Sequence, residues 1–271
     1  MAAPTSIAFI GGGNMAASLI GGLSDAGWTP GQVMVAEPDA ERRRDLSDRF
    51  GVRTTADNSE AVQGAETVVL AVKPQILGTV AEALGPDLRG QTPLVISIAA
   101  GIPLAKLRGW LGTDGPLVRV MPNTPALVGA GVSALYADDD VSEQHRLTAQ
   151  AIMQAAGEVV WVAKEAHMDI VTAVSGSGPA YFFLILEALE EAAVAEGLDR
   201  ETARTLAVHT AGGAAALARD TGEPSAVLRS RVTSPGGTTA RGLEALERGG
   251  LRTALMDAVA AAANRSRELG S

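Results

Sequence analysis

The stretch Thr233-Ser234-Pro235-Gly236-Gly237-Thr238-Thr239 combines residue types that are poor for ordinary packing and good for holding a small anion. Pro235 forces a turn, and Gly236 and Gly237 let the backbone approach a ligand without a Cβ in the way. Thr238 and Thr239 then open a helical run, Ala240 to Arg248. The first N–H groups of a helix have no partner inside it and carry partial positive charge, which favours a carboxylate or phosphate. A plain helix cap with no ligand is the competing explanation, since the same residue types are ordinary capping residues.

A second chemical constellation lies near the N-terminus, where Gly11-Gly12-Gly13-Asn14-Met15-Ala16 follows the strand pattern Ser6 to Ile10 and opens a helical pattern through Leu19, Ile20 and Leu23. In this G-x-G-x-x-A arrangement Gly11 allows a tight turn, Gly13 lets the backbone reach a pyrophosphate, and small Ala16 lets helix and strand pack closely. A second strand, Val33 to Glu37, ends at the distance expected of a dinucleotide site; a glycine-rich turn in another α/β fold is the alternative. Glu37 stands where an acidic residue binds the adenosine 2′-hydroxyl of NADH, yet Arg42, Arg43 and Arg44 follow and suit the 2′-phosphate of NADPH. Three consecutive arginines point in several directions, so the solvated face of a helix, Ala40 to Phe50, is their favoured reading, and the cofactor preference stays open.

The elements that must position these residues alternate through the first half: Val52 to Thr54, a helix near Ser59 to Gln63, Thr67 to Val72, Leu94 to Ser97, Leu117 to Met121, Val132 to Tyr136, a helix Glu143 to Ala156, and Val159 to Val162. Continuous apolar strands such as Thr67 to Val72 suit a parallel sheet buried on both faces. In such sheets ligands bind at the carboxyl ends of the strands, so Lys73-Pro74-Gln75, Ser97 to Gly101 and Met121 to Pro125 are expected to rim one cleft. From about Lys164 onward only helical periodicity appears, which predicts domains at 1–163 and 164–271. Ser175 to Pro179 predicts a turn and helix start, followed by a helix to Glu196 whose first two turns are apolar all round. Burying that helix is easier with a second subunit, so a homodimer is expected.

Composition narrows the chemistry. The chain has 271 residues, 46% hydrophobic and 20% charged, with net charge −9 and no cysteine. Thiolate metal sites and cysteine nucleophiles are excluded, and His145, His167 and His209 form no pair at metal-ligand spacing, so no metal site is expected. No long basic stripe marks a nucleic-acid surface, no apolar stretch approaches the roughly 18 residues of a membrane span, and no basic leader precedes the first strand, so a soluble protein is expected. Small-molecule chemistry in the cytoplasm is the expectation.

Four stretches of this sequence resemble the pyrroline-5-carboxylate reductase family: Phe9 to Ala16, Ala71 to Gln75, Val120 to Pro125, and Ser175 to Tyr181 together with Val232 to Thr239. The first two occur in related dehydrogenases, whereas the last pair is specific. The resemblance implies a Rossmann-type doubly wound α/β domain followed by an all-α dimerisation domain, with each site using both chains and dimers often assembling into a decamer. It implies reduction of 1-pyrroline-5-carboxylate to L-proline with NADPH or NADH. It places Gly11, Gly13, Asn14 and Met15 on the dinucleotide phosphates and Asn58 near the adenosine ribose, with Val72, Lys73 and Pro74 beside the nicotinamide half; Asn123 is also expected to bind the cofactor. It places Ser234, Gly236, Gly237 and Thr238 around the substrate carboxylate and the Thr239 hydroxyl on the ring nitrogen. Glu37 departs from a strict NADPH enzyme, and Glu223-Pro224 stands where His-Pro is frequent.

None of these motifs supplies a histidine or carboxylate as proton donor, so Thr239 is expected to orient the imine nitrogen and Lys73 to act electrostatically or on the cofactor ribose. The rivals are a β-hydroxyacid dehydrogenase and a nucleotide-sensing protein without turnover. The first would need a lysine and asparagine on the helix from Ser175 to Glu196, which has neither. The second has no use for an anion loop at Ser234 to Thr239.

Overall fold

The computed structural model describes residues 6–270. Its first unit alternates strands and helices: β1 (Ile7–Ile10), α1 (Asn14–Asp25), β2 (Val33–Ala36), α2 (Ala40–Phe50), β3 (Arg53–Thr55), α3 (Asn58–Val62), β4 (Thr67–Leu70) and α4 (Pro74–Leu88). It continues with β5 (Leu94–Ser97), α5 (Leu104–Leu111), β6 (Leu117–Met121), β7 (Gly131–Ala137), α6 (Glu143–Gln154), β8 (Gly157–Trp161) and the short α7 (His167–Val171). The remaining helices are α8 (Gly178–Ala195), α9 (Arg200–Thr221), α10 (Ser225–Arg231), α11 (Thr238–Arg248) and α12 (Leu251–Gly270).

The strands form one eight-stranded sheet in the order β3-β2-β1-β4-β5-β6-β7-β8. Every pairing is parallel except the antiparallel β6–β7 hairpin. β1, β4 and β5 are buried at every position, as a parallel sheet covered on both faces requires. Alternation within β1 divides the core in two. Ile7 and Phe9 pack with α1, α2 and α6 through Leu19, Leu23, Leu46 and Ile152, whereas Ala8 and Ile10 pack with α3, α4 and α5 through Val62, Leu77, Leu84 and Leu107.

The chain resolves into two compact units, Met1–Ser177 with Ala261–Ser271, and Gly178–Ala260. The sequence-based boundary at 163/164 therefore falls inside the first unit. The reason is electrostatic as well as apolar. Arg119 of β6, nearly buried, pairs with Glu165 at 3.0 Å and Asp169 at 3.7 Å, and Ser266 Oγ donates to Asp169 at 2.7 Å. These bonds hold the segment after β8 and the end of α12 on the sheet domain.

At Ser175 to Pro179 the expected helix start is present, with α8 beginning at Gly178, but a π-helical turn leads into it in place of the expected turn. Thr172–Gly176 is a π-helical turn with Ser177 N–H donating to Thr172 C=O at 2.8 Å, and the helix runs on into α8. A π-turn passes over a Gly/Pro cluster because its bonding pattern is already shifted by one residue. The helical segment His167–Ala195 contains an 18-residue stretch of mean hydropathy 1.4 and is long and apolar enough by length and composition to cross a membrane. This overturns the expectation that no apolar stretch approaches that length, which overlooked a run interrupted by serines and glycines.

Candidate active site

The carboxyl ends of the parallel strands enclose a cleft of about 590 Å³ in the first unit. One wall is the turn from β1 into α1. Gly11 has φ +98, and an added Cβ would lie 2.9 Å from Ala71 C=O, so the turn closes against the loop after β4. Gly13 occupies the N-cap of α1 with no side-chain cap, which leaves the N–H groups of Asn14, Met15 and Ala16 without an intrahelical acceptor. A Cβ on Gly13 would meet nothing nearer than Arg42 Nη1 at 3.9 Å, so glycine here leaves open approach to the backbone. A pyrophosphate fits such a helix start in both shape and charge.

The sequence assigns no role to Gly12. An added Cβ there would lie 2.7 Å from Leu46 Cδ1 of α2, so its glycine serves packing. Its N–H donates to Glu37 Oε2 at 2.8 Å, and Asp39 N–H donates to Glu37 Oε1 at 3.1 Å. The carboxylate at the end of β2 is thus fixed beside the glycine turn. Of the three arginines expected on a solvated face, Arg42 and Arg44 are exposed and Arg43 is half-buried. Arg42 lines the cleft, Arg43 Nη1 donates to the carbonyls of Glu37 and Pro38 at 2.7 and 2.8 Å, and Arg44 is exposed.

The opposite wall gathers the predicted rim. Ala71 and Val72 leave the strand, expected to reach Val72, after Leu70 and line the cleft with Lys73 and Pro74. Lys73 is the exposed N-cap of α4 and Pro74 its first residue, where proline's missing N–H costs nothing. Ile98 to Ala100 and Met121 to Thr124 complete the lining. Asn123 is nearly buried and accepts from Val132 N–H at 2.9 Å, which ties the loop after β6 to β7. Gly176 joins them, since an added Cβ would lie within 2.3 Å of Met121 Cε. Asn58 is outside this lining, at the start of α3, which Asp57 caps by accepting from Ser59 N–H at 2.8 Å.

Ser234, Gly236, Gly237, Thr238 and Thr239 belong to the second unit. Gly236 takes φ +71, a conformation that favours glycine, and Gly237 is the N-cap of α11 without a side-chain cap. Gly237 N–H donates to Ser234 C=O at 3.1 Å, and a Cβ on Gly237 would fall 2.5 Å from Ser234 Oγ. The tight turn presents the N–H groups of Thr238 and Thr239 and both hydroxyls at an exposed helix start.

Residues 165–269 match the family described as pyrroline-5-carboxylate reductase dimerisation, and residues 6–101 match NADP oxidoreductase coenzyme F420-dependent. Pyrroline-5-carboxylate reductase of Pseudomonas aeruginosa is 48% identical over 263 residues, covering 97% of this chain and 96% of that one. The structure of a pyrroline-5-carboxylate reductase from Coxiella burnetii superposes with a TM-score of 0.94 at 42% identity, covering 99% of both chains. That of Plasmodium falciparum pyrroline carboxylate reductase with NADP bound gives 0.87 at 32%, covering 98% of both. By identity and coverage together, this chain belongs to the pyrroline-5-carboxylate reductase family.

Proposed function

We propose that this protein reduces 1-pyrroline-5-carboxylate to L-proline with NAD(P)H, the last step of proline synthesis. The observation that carries the reading is full-length family membership joined to two uncapped helix starts, one at Gly13 and one at Gly237. Bound NAD(P)H supplies a hydride, which adds to the imine carbon, while a proton ends on the ring nitrogen.

The chain's residues bind and orient. Gly11 shapes the turn, and the N–H groups following Gly13, including those of Asn14 and Met15, hold the pyrophosphate. Glu37 and Asn58 serve the adenosine ribose, while Val72, Lys73, Pro74 and Asn123 border the nicotinamide half. Ser234, Gly236, Gly237 and Thr238 grip the substrate carboxylate. The Thr239 hydroxyl aligns the ring nitrogen, whose proton comes from water or arrives with substrate already protonated. Catalysis is then mostly positioning, for which effective molarity supplies several kcal/mol. The protein works as a cytoplasmic homodimer through residues 164–271, with further assembly into a decamer.

The test is oxidation of NADPH and of NADH, run separately, with pyrroline-5-carboxylate and with a panel of keto acids. Turnover confined to the pyrroline supports the proposal. Turnover of hydroxy- or keto-acids instead would favour the β-hydroxyacid dehydrogenase reading, and dinucleotide binding without any turnover the sensor.

A further inference from the structure

The corner where β2 ends decides which adenosine the site accepts, and its groups are already committed. Both Glu37 carboxylate oxygens accept backbone N–H bonds, from Gly12 at 2.8 Å and Asp39 at 3.1 Å. The carboxylate is therefore fixed in place, and each oxygen keeps a lone pair for a further donor. The neighbouring helix start, the other feature able to hold a 2′-phosphate, is filled. Asp39 caps α2 by accepting from Glu41 N–H at 2.8 Å and Arg42 N–H at 3.1 Å. Those backbone bonds hold the Asp39 carboxyl below its ordinary range, so a second anion sits at the same corner.

The cations beside this corner are turned to other partners or to solvent. Arg43 spends Nη1 on the carbonyls of Glu37 and Pro38, Arg42 lies along the Gly13 turn, and Arg44 is exposed. A 2′-hydroxyl can donate to a fixed carboxylate, whereas a 2′-phosphate there meets like charge. We infer that Glu37 makes this site selective for a dinucleotide with a free adenosine 2′-hydroxyl, so that NADH is preferred to NADPH. The inference rests on the dinucleotide site assigned under the proposed function.

The experiment measures Kd for NADH and NADPH by fluorescence titration of the intact protein, and kcat/KM for both, in wild type and in Glu37→Gln and Glu37→Ser. Wild type is expected to favour NADH by about tenfold or more, the scale of one charge-assisted hydrogen bond. Both variants are expected to shift the NADH/NADPH ratio toward NADPH by a similar factor, with NADPH affinity rising in absolute terms. Glu37 also buttresses the Gly12 turn, and loss of that support alone would weaken both cofactors equally and leave the ratio unmoved; that result overturns the inference. Preference of the wild type for NADPH also overturns it. Turnover of pyrroline-5-carboxylate with NADPH favoured would sink the inference and leave the proposed function standing. A Glu37-dependent NADH preference in binding without pyrroline turnover would do the reverse.

Discussion

Three successive glycines do three different jobs, and substitution separates them. Gly11 is held by positive φ and by the nearby Ala71 carbonyl, Gly12 by Leu46, and Gly13 by nothing within the protein closer than Arg42 Nη1 at 3.9 Å. Gly13→Val is therefore expected to lose no more stability than a poor N-cap residue costs, about 1 kcal/mol or less, and to raise Kd for the dinucleotide by about a hundredfold, read by fluorescence titration. Gly12→Val should instead overpack the contact with α2 and cost about 1–3 kcal/mol, read by denaturant unfolding. Equal stability losses in the two variants would show that Gly13 is a packing residue after all. Thr239→Ala should lower kcat about tenfold, the value of one oriented hydrogen bond, with dinucleotide Kd unchanged. Wild-type kcat in that variant removes Thr239 from the chemistry. The backbone geometry at Gly11, Gly13, Lys73, Pro74 and the Ser234–Thr239 loop is legible in the sequence because each motif is a short run whose backbone demands are local. The function of Gly12 and the divided roles of Arg42, Arg43 and Arg44 are not, because they depend on which face of α2 meets the turn from β1.

At the scale of elements, a parallel sheet buried on both faces follows from local patterning, since short apolar runs separated by helical periods suit that arrangement, whereas the order of the strands and the antiparallel β6–β7 pair do not. Two features escape such reading. Ser175 to Pro179 has the composition of a turn, yet it continues a helix through a π-turn whose glycine clears Met121. Arg119 lies in a strand that otherwise reads as core, and its partners Glu165 and Asp169, with Ser266 behind them, come from distant segments. At 5% side-chain exposure the guanidinium depends on those carboxylates, and they on it. Arg119→Leu removes the cation between the two carboxylates, leaving Glu165 with the Leu104 N–H and Asp169 with the Ser266 hydroxyl, and is expected to destabilise the protein by about 3 kcal/mol, as breaking a nearly buried pair does. Thermal unfolding at fixed protein concentration checks this. A loss no greater than that of an exposed pair such as Arg49–Asp45 would mean that water reaches the network.

At the scale of the whole molecule, the second unit has little core of its own. Phe182, Phe183 and Leu184 of α8 are 65%, 64% and 65% exposed, and Leu189, Leu206 and Leu217 are also largely exposed. Apolar surface of this extent requires either lipid or another protein surface. Length and composition alone permit a membrane, but the same residues lie within the matched dimerisation family, which favours a second copy of the chain. The two demands differ in what happens when charge is introduced. Phe182→Asp with Phe183→Asp is expected to shift the protein to lower mass by light scattering after gel filtration, because two carboxylates cannot be buried unpaired at the subunit contact. The cleft proposed to hold the dinucleotide is lined wholly by the first unit, so NADH titration of the variant should be retained while pyrroline reduction is lost. Wild-type mass in the double variant would place the subunit contact elsewhere. Wild-type protein that leaves the membrane fraction only with detergent would instead assign the exposed face of α8 to lipid.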